Sequence, residues 1–461
     1  MAPPEPVGAA VSPHRRRRRR FPRWPRRRRI GAYGNLRRDL LPASDTAAGQ
    51  AQHRLLCRRP GVAGLRHADG HRPQSAHRRR PHRLCSAHGH RRQHPAISRL
   101  LVSYPLGKLA DTYGRCPAML VGLACGLIGA PLVASAVLAG SFLLFVASMT
   151  VLGMGVGAAQ QLRVAVTDMY PGNRRAEGLG YLLLGSMIGA LTGPIIVGLS
   201  ETATPRLEVN NLALPWLILP LFIVSSMLIA YFARPDPKQM GADLGKYWPG
   251  YVAPKRPPPV ARNVVAYFRS YPRVTGFVSY AFAQGTMAMM MAQTPHVLSR
   301  HGHSVTLVSW AVAIHVVGMY GLSIPLGRLC DRIGRTTLIL AGLVIFGAGA
   351  VLAVLTDLYW LITGGIFVVG IGWSAVFIAS TALIADTTPL QERGRAIGIN
   401  DSLGAIVAVS LPFVSGAVIG VAGLTTLGVF GAILASLSLF LLPRLRERRP
   451  GVFDAAPTSA G

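Results

Sequence analysis

The sequence is short of charge. Asp, Glu, Lys and Arg make up 15% of its 461 residues, against about a quarter in an ordinary soluble chain. Acids are the scarcer sign, 18 against 49 Lys and Arg. Cysteine is sparse as well. Cys57, Cys85, Cys116, Cys125 and Cys330 stand without CxxC spacing, which excludes a disulfide framework and a zinc site of the usual spacing. A phosphate-binding loop is missing too. The nearest approach, Gly241-Ala-Asp-Leu-Gly245-Lys246-Tyr247, has the wrong spacing and no Ser or Thr after the lysine, which excludes a nucleotide-driven pump. No constellation for enzyme chemistry is visible, and none that calls for a cofactor.

Hydrophobic residues are what the chain has instead. They form half of it, at a mean hydropathy of +0.36, and lie in long uninterrupted runs. From Ala96 these runs fall at 96–109, 118–139, 142–167, 178–199 and 213–233, then at 273–298, 305–327, 337–356, 358–384, 396–419 and 423–443. Most are near the ~20 residues that a helix needs to cross the hydrocarbon. About eleven spans result. The stretch 234–272, rich in Pro, Lys and Arg, divides them five from six and reads as a linker. The expected organisation is thus a bundle over 96–233, the linker, a second bundle over 273–443 and a tail at 444–461.

Loop charges orient the spans. Lys108 and Arg115, Arg174 and Arg175, the linker, Arg328, Arg332 and Arg335, Arg393 and Arg395, and the Arg444–Arg449 group fall on one side. The positive-inside rule puts that side, with the C-terminus, in the cytoplasm of a multi-pass plasma-membrane protein. An odd number of spans then leaves the N-terminus outside, although the first hundred residues hold 25 Arg, no Lys and four acids. The expectation is that one helix before Ala96 is missing. Residues 1–95 read as a nucleic-acid or membrane-surface arm, as a disordered tail, or as an out-of-frame stretch of GC-rich coding sequence. The last explains most of the composition, and no nucleic-acid partner is expected.

The chain also repeats itself. SYPLGKLADTYGR (103–115) returns as SIPLGRLCDRIGR (323–335), and RAEG (175–178) is answered at the same offset by RAIG (395–398). Asp168-Met-Tyr-Pro171 is answered by Asp386-Thr-Thr-Pro389. Two related halves with basic motifs at matching turns describe a transporter built by duplication.

Gly107-Lys-Leu-Ala-Asp111-Thr-Tyr-Gly114-Arg115 resembles the loop signature of the major facilitator superfamily, and Gly327-Arg-Leu-Cys-Asp331-Arg-Ile-Gly334-Arg335 resembles its counterpart in the second half. The resemblance implies an all-α membrane protein of two pseudo-repeated bundles, with about eleven of twelve transmembrane helices present, working as a monomer. It implies an inner gate at these residues: the glycines allow a tight turn and close backbones, and Asp and Arg four apart offer opposite charges to neighbouring helix ends. A turn that only orients the helices is the plainer alternative. Gly185, Gly189, Gly193 and Pro194 resemble the glycine-proline motif of exporters in the same superfamily, a helix-packing face, unless they are generic membrane packing. Helix four departs from the drug-exporter pattern, with Met149 before Gly153 where an arginine is usual.

Ionisable residues inside apolar runs are the candidates for proton coupling. Asp401 lies a turn or more inside its run, and Arg163 and Asp168 lie near the cytoplasmic end of the run 142–167. A helix-capping Asp401 and a snorkelling Arg163 are the plain alternatives. His315 is a further candidate, and Gln160, Gln284 and Gln293 are candidate cavity linings. His301 and His303 lack the carboxylates or cysteines that a metal site would add, so no metal is expected. Proton-coupled export of small amphiphilic molecules by alternating access is the expected function. A metabolite importer of the same fold, and a remnant inactive for want of helix one, are the alternatives.

Overall fold

In a computed structural model the described residues are 94–207, 213–251, 263–355, 357–422, 429–431, 433–434, 441, 445, 447–449 and 452–453. The Arg-rich segment, most of the run 423–443 and most of the tail lie outside them. The described helices belong to one compact unit.

The first half contributes α1 (His94–Tyr113), α2 (Arg115–Leu138), α3 (Phe142–Ala159), α4 (Leu162–Met169), α5 (Arg175–Leu207) and α6 (Leu214–Phe232). The linker forms three short helices, α7 (Pro237–Ala242), α8 (Leu244–Tyr247) and α9 (Val264–Tyr267). The second half follows with α10 (Tyr271–Arg300), α11 (Val305–Tyr320), α12 (Ser323–Ile333), α13 (Arg335–Leu352), α14 (Tyr359–Asp386) and α15 (Arg393–Ala422). A small antiparallel ladder pairs Glu447–Arg449 with Val452–Phe453, Glu447 facing Phe453. Helices dominate because lipid offers the backbone no hydrogen bonds, and a helix satisfies its own. Among the described residues seven stretches are long and apolar enough to cross a membrane. The outer faces carry bare apolar side chains such as Leu143, Ile229, Phe232 and Trp360, which bilayer lipid would cover.

Within the first half α2 packs on α3 and α6; within the second α14 packs on α13, α11 and α10. Two seams join the halves, α1 against α15 and α5 against α12. The seams are equivalent under the duplication. At each, the first glycine of the loop motif meets backbone of the other half. A Cβ on Gly107 would overlap the Gly394 carbonyl, and one on Gly327 the Ala176 carbonyl, so only hydrogen fits there.

One expectation needs correction and two gain detail. The runs 142–167 and 305–327 each lie in one candidate span that a short turn interrupts, at Gln160–Gln161 in the first and at Gly321–Leu322 in the second. Hydropathy does not register a break made of residues that sit inside an apolar run. At the α5 glycines the described residues leave open space: a Cβ at Gly185, Gly189 or Gly193 would meet nothing within 4 Å. The surroundings of Pro194 lie outside the described residues. Arg175 does not correspond to Arg395. Arg175 Nε donates to the Thr167 carbonyl and Arg393 Nε to the Ala385 carbonyl, eight residues back in both cases. The equivalent of Arg175 is therefore Arg393; the shared dipeptide Arg-Ala is a coincidence two residues out of step.

Candidate functional site

The polar core of the molecule has two layers, and the loop motifs build the first. Each motif turns at a glycine of positive φ, Gly114 at 111° and Gly334 at 98°, a conformation that side chains resist. The turn starts the next helix at an arginine, which is buried completely in both halves. Arg115 binds Asp111 at 2.7 Å, Asp168 at 2.7 Å and the Leu390 carbonyl of the other half at 2.8 Å. Its counterpart Arg335 binds Asp331 at 2.6 Å, Asp386 at 3.0 Å and the Gly172 carbonyl at 2.5 Å.

The motif acids complete the crossing. Asp111 accepts from the backbone of Gly394 at 2.8 Å and Arg395 at 2.9 Å, at the start of α15. Asp331 accepts from Ala176 at 3.2 Å and Glu177 at 2.8 Å, at the start of α5. A carboxylate there satisfies unpaired N–H groups and meets the positive end of the helix dipole. Arg393 reaches back to Asp168 at 2.9 Å, and Arg175 likewise binds Asp386. Both seams are thus closed at the motif end by buried ion pairs between the halves.

Two acids that no motif contains hold the arginine turns in place. Asp236 accepts from the N–H groups of Arg115 at 3.1 Å and Cys116 at 2.8 Å. Glu447 accepts from those of Arg335 and Thr336, both at 3.0 Å. The linker lies on the same end: Trp248 donates to the Met169 carbonyl at 2.9 Å, and its ring receives Tyr170 at 5.3 Å and the Arg174 guanidinium at 5.0 Å. Burial raises the Tyr170 phenol above its ordinary range, so it stays a neutral packing partner.

The second layer lies deeper, about 7–12 Å along α4 and α15 at 1.5 Å per residue. It begins at the break between α3 and α4. Arg163 follows that break, with only 1% of its surface exposed. Its guanidinium pairs with Asp401 of α15 in the other half and donates to the Tyr280 hydroxyl at 3.0 Å. Tyr280 donates in turn to Asp401 Oδ1 at 3.0 Å. The guanidinium carbon stands 5.4 Å from the Tyr280 ring centroid and 5.0 Å from that of Phe377. Trp373 stacks at 4.8 Å on Phe377, and its indole N–H is held by Gln284 at 2.5 Å. Asp401 Oδ2 and both amide atoms of Gln161 are buried without a hydrogen-bond partner among the described residues.

A model of the Major Facilitator Superfamily matches residues 95–296 and 274–459. The chain belongs to the major facilitator superfamily. It is 29% identical over 356 residues to the uncharacterized MFS-type transporter YddS of Bacillus subtilis, covering 76% of this chain and 78% of that one. It is 27% identical over 358 residues to the riboflavin transporter RfnT of Brucella anthropi, covering 76% and 84%. The crystal structure of the human organic anion transporter MFSD10 matches at a TM-score of 0.61 and 18% identity, over 76% of this chain and 82% of that one; at that identity the likeness concerns the fold alone.

The superfamily fold sorts the remaining candidates. Asp168 belongs to the motif layer, between Arg115 and Arg393, not to the deeper pair. His315 is buried between α11 and α14 with Nδ1 on the Ile366 carbonyl, and it touches neither Arg163 nor Asp401. Gln160 supplies its carbonyl to Arg163 Nε at 3.3 Å, while its neighbour Gln161 is the fully buried amide. Gln293 bonds Ser415 at 3.1 Å, between α10 and α15 but away from the pair. His301 pairs with Asp357 at 3.0 Å. Tyr280, Phe377 and Trp373 were not candidates, because an aromatic in an apolar span looks like any other apolar residue until its neighbours are known.

Proposed function

We propose that this superfamily transporter is a proton-coupled carrier of small amphiphilic molecules, working by alternating access, with Asp401 as the proton site. The Arg163–Asp401 pair carries this reading. It joins the two halves inside the apolar layer, so it must part for the motif end to open. Asp401 is also the one carboxylate among the described side chains that lies within a span and away from a helix end. An ionised carboxylate at such depth costs several kcal/mol without a cation or donor. A proton offers the other way to remove that cost. Protonation cancels the attraction to Arg163 and frees the latch, and deprotonation restores it.

The motif end faces the cytoplasm in this reading, on the strength of the loop charges. The state described is then closed to the cytoplasm. Export was expected from the helix-five glycines; with that face unpacked among the described residues, the geometry no longer favours it over import. The 27% identical riboflavin transporter supports a small solute with a planar ring. In vesicles with an imposed pH gradient, Asp401→Asn is expected to abolish uphill movement of a planar aromatic solute, 1-naphthoate, while downhill exchange persists, because the amide imitates the protonated acid. Uphill movement at the wild-type rate in that variant would reduce Asp401 to a structural partner of Arg163.

A further inference from the structure

The second layer also restricts what travels with the proton, given the reading that Asp401 carries it. Once Asp401 is neutral, Arg163 has lost its counter-ion. Its other partners are the neutral Tyr280 hydroxyl, the Gln160 carbonyl and two ring faces. Among the described residues no second carboxylate stands in reserve. Asp168 is held by Arg115 and Arg393, and Asp386 by Arg175 and Arg335. A buried guanidinium left without an anion is strongly unfavourable, so a proton bound alone is unfavourable as well. A proton bound together with an anion is not. The two charges entering as a pair keep the layer neutral.

We infer that the site between α4, α10, α14 and α15 takes a small organic anion bearing a planar ring together with one proton, the anion replacing Asp401 on Arg163. The rings around the guanidinium choose the rest of the solute. Phe377 stands 5.6 Å from Tyr280 and 4.8 Å from Trp373, and Gln284 bonds both Trp373 and Tyr280, fixing the set. Fixed rings beside a fixed cation suit a flat aromatic acid. An organic cation would face Arg163 directly and is disfavoured. The cycle that follows is symport. The empty carrier rests closed to the cytoplasm on the Arg163–Asp401 pair; solute anion and proton enter from outside, the latch parts, and both leave inward. Because the proton needs the anion, the empty carrier does not leak protons.

Among the described residues few other groups bear on Asp401. Arg163 faces it from α4 and Tyr280 from α10. From α1 the titratable neighbour in the adjoining apolar cluster is Tyr104. From α14 come the aromatic residues, while Asp386 lies at the far end on its own arginines.

The test is proton uptake by the purified full-length protein, in weakly buffered solution, on adding 1-naphthoate. The wild type should take up about one proton per anion bound, as the charge pairing requires. Asp401→Asn should bind 1-naphthoate without taking up a proton and with little dependence on pH. Arg163→Gln should bind it roughly tenfold or more weakly, the loss of a charge-assisted contact. The double variant Arg163→Gln, Asp401→Asn buries no unpaired charge, so it keeps the test open if the single variant misfolds; it should take up neither anion nor proton. Preference for 1-methylquinolinium over 1-naphthoate, or 1-naphthoate binding unchanged in the double variant, would overturn the anion site. Proton uptake persisting in Asp401→Asn would instead overturn Asp401 as the proton site while leaving the anion on Arg163.

Discussion

Asp236 and Glu447 show how much of the motif layer rests on residues outside the motifs. Each gives both carboxylate oxygens to the first two N–H groups of a helix that begins at a buried arginine. Losing such a cap costs about 0.5–2 kcal/mol, and here it also frees the arginine that spans the seam. Asp236→Ala and Glu447→Ala should each lower the melting temperature of the purified protein, followed by tryptophan fluorescence, by several degrees. An unchanged melting curve for either would mean that water caps the helix equally well. The sequence made Asp111 and Asp331 legible because the same string occurs twice. Asp236 and Glu447 share a role but no string, since one follows α6 as Pro-Asp-Pro and the other lies in an Arg-rich tail. Arg163 and Asp401 were legible as ionisable groups in apolar runs; that they meet was not, because they lie on different halves and no repeat relates them.

At the scale of the element, spans are easy to read and seams are not. Hydropathy placed several helices to within a few residues, as with 118–139 against Arg115–Leu138, since burial in lipid depends on composition alone. Which face of a helix meets which neighbour depends on a few small residues. Gly107 and Gly185 are alike in sequence context, each a glycine in an apolar stretch. The first abuts the Gly394 backbone, and the second meets nothing within 4 Å among the described residues. This contrast is measurable with spin labels at Thr112 and Gln391, both exposed and on opposite halves at the motif end. Gly107→Ala should lengthen the distance between the labels, because the added methyl has only backbone to displace and helices do not yield to it. Gly185→Ala should leave it unchanged. Equal distances in the two variants would show that the α1–α15 seam adjusts to a methyl group, and close approach would then not define the gate.

The duplication organises the whole molecule, and the second layer breaks its symmetry. Both seams carry the same glycine contact, the same N-terminal carboxylate and the same arginine, whereas the deeper ion pair is built once, with the cation from α4 and the acid from α15. A symmetric closure with one asymmetric latch suits a carrier whose two faces open in turn while one site senses the proton. Which compartment the described state is closed to then depends on which face is cytoplasmic. The basic linker and loops put the motif end inside, so a cysteine replacing the exposed Lys246 of α8 should resist an impermeant maleimide added to intact cells. Asp357, 85% exposed in its side chain, lies between α13 and α14 at the opposite end, and a cysteine there should react from outside. Permeabilised cells should label at both positions, which shows that Lys246→Cys is reactive once reached. Labelling of Lys246→Cys in intact cells, with none at Asp357→Cys, would invert the molecule in the membrane. The latch would then close toward the outside, and the empty carrier held by Arg163 and Asp401 would rest open to the cytoplasm instead of open to the outside.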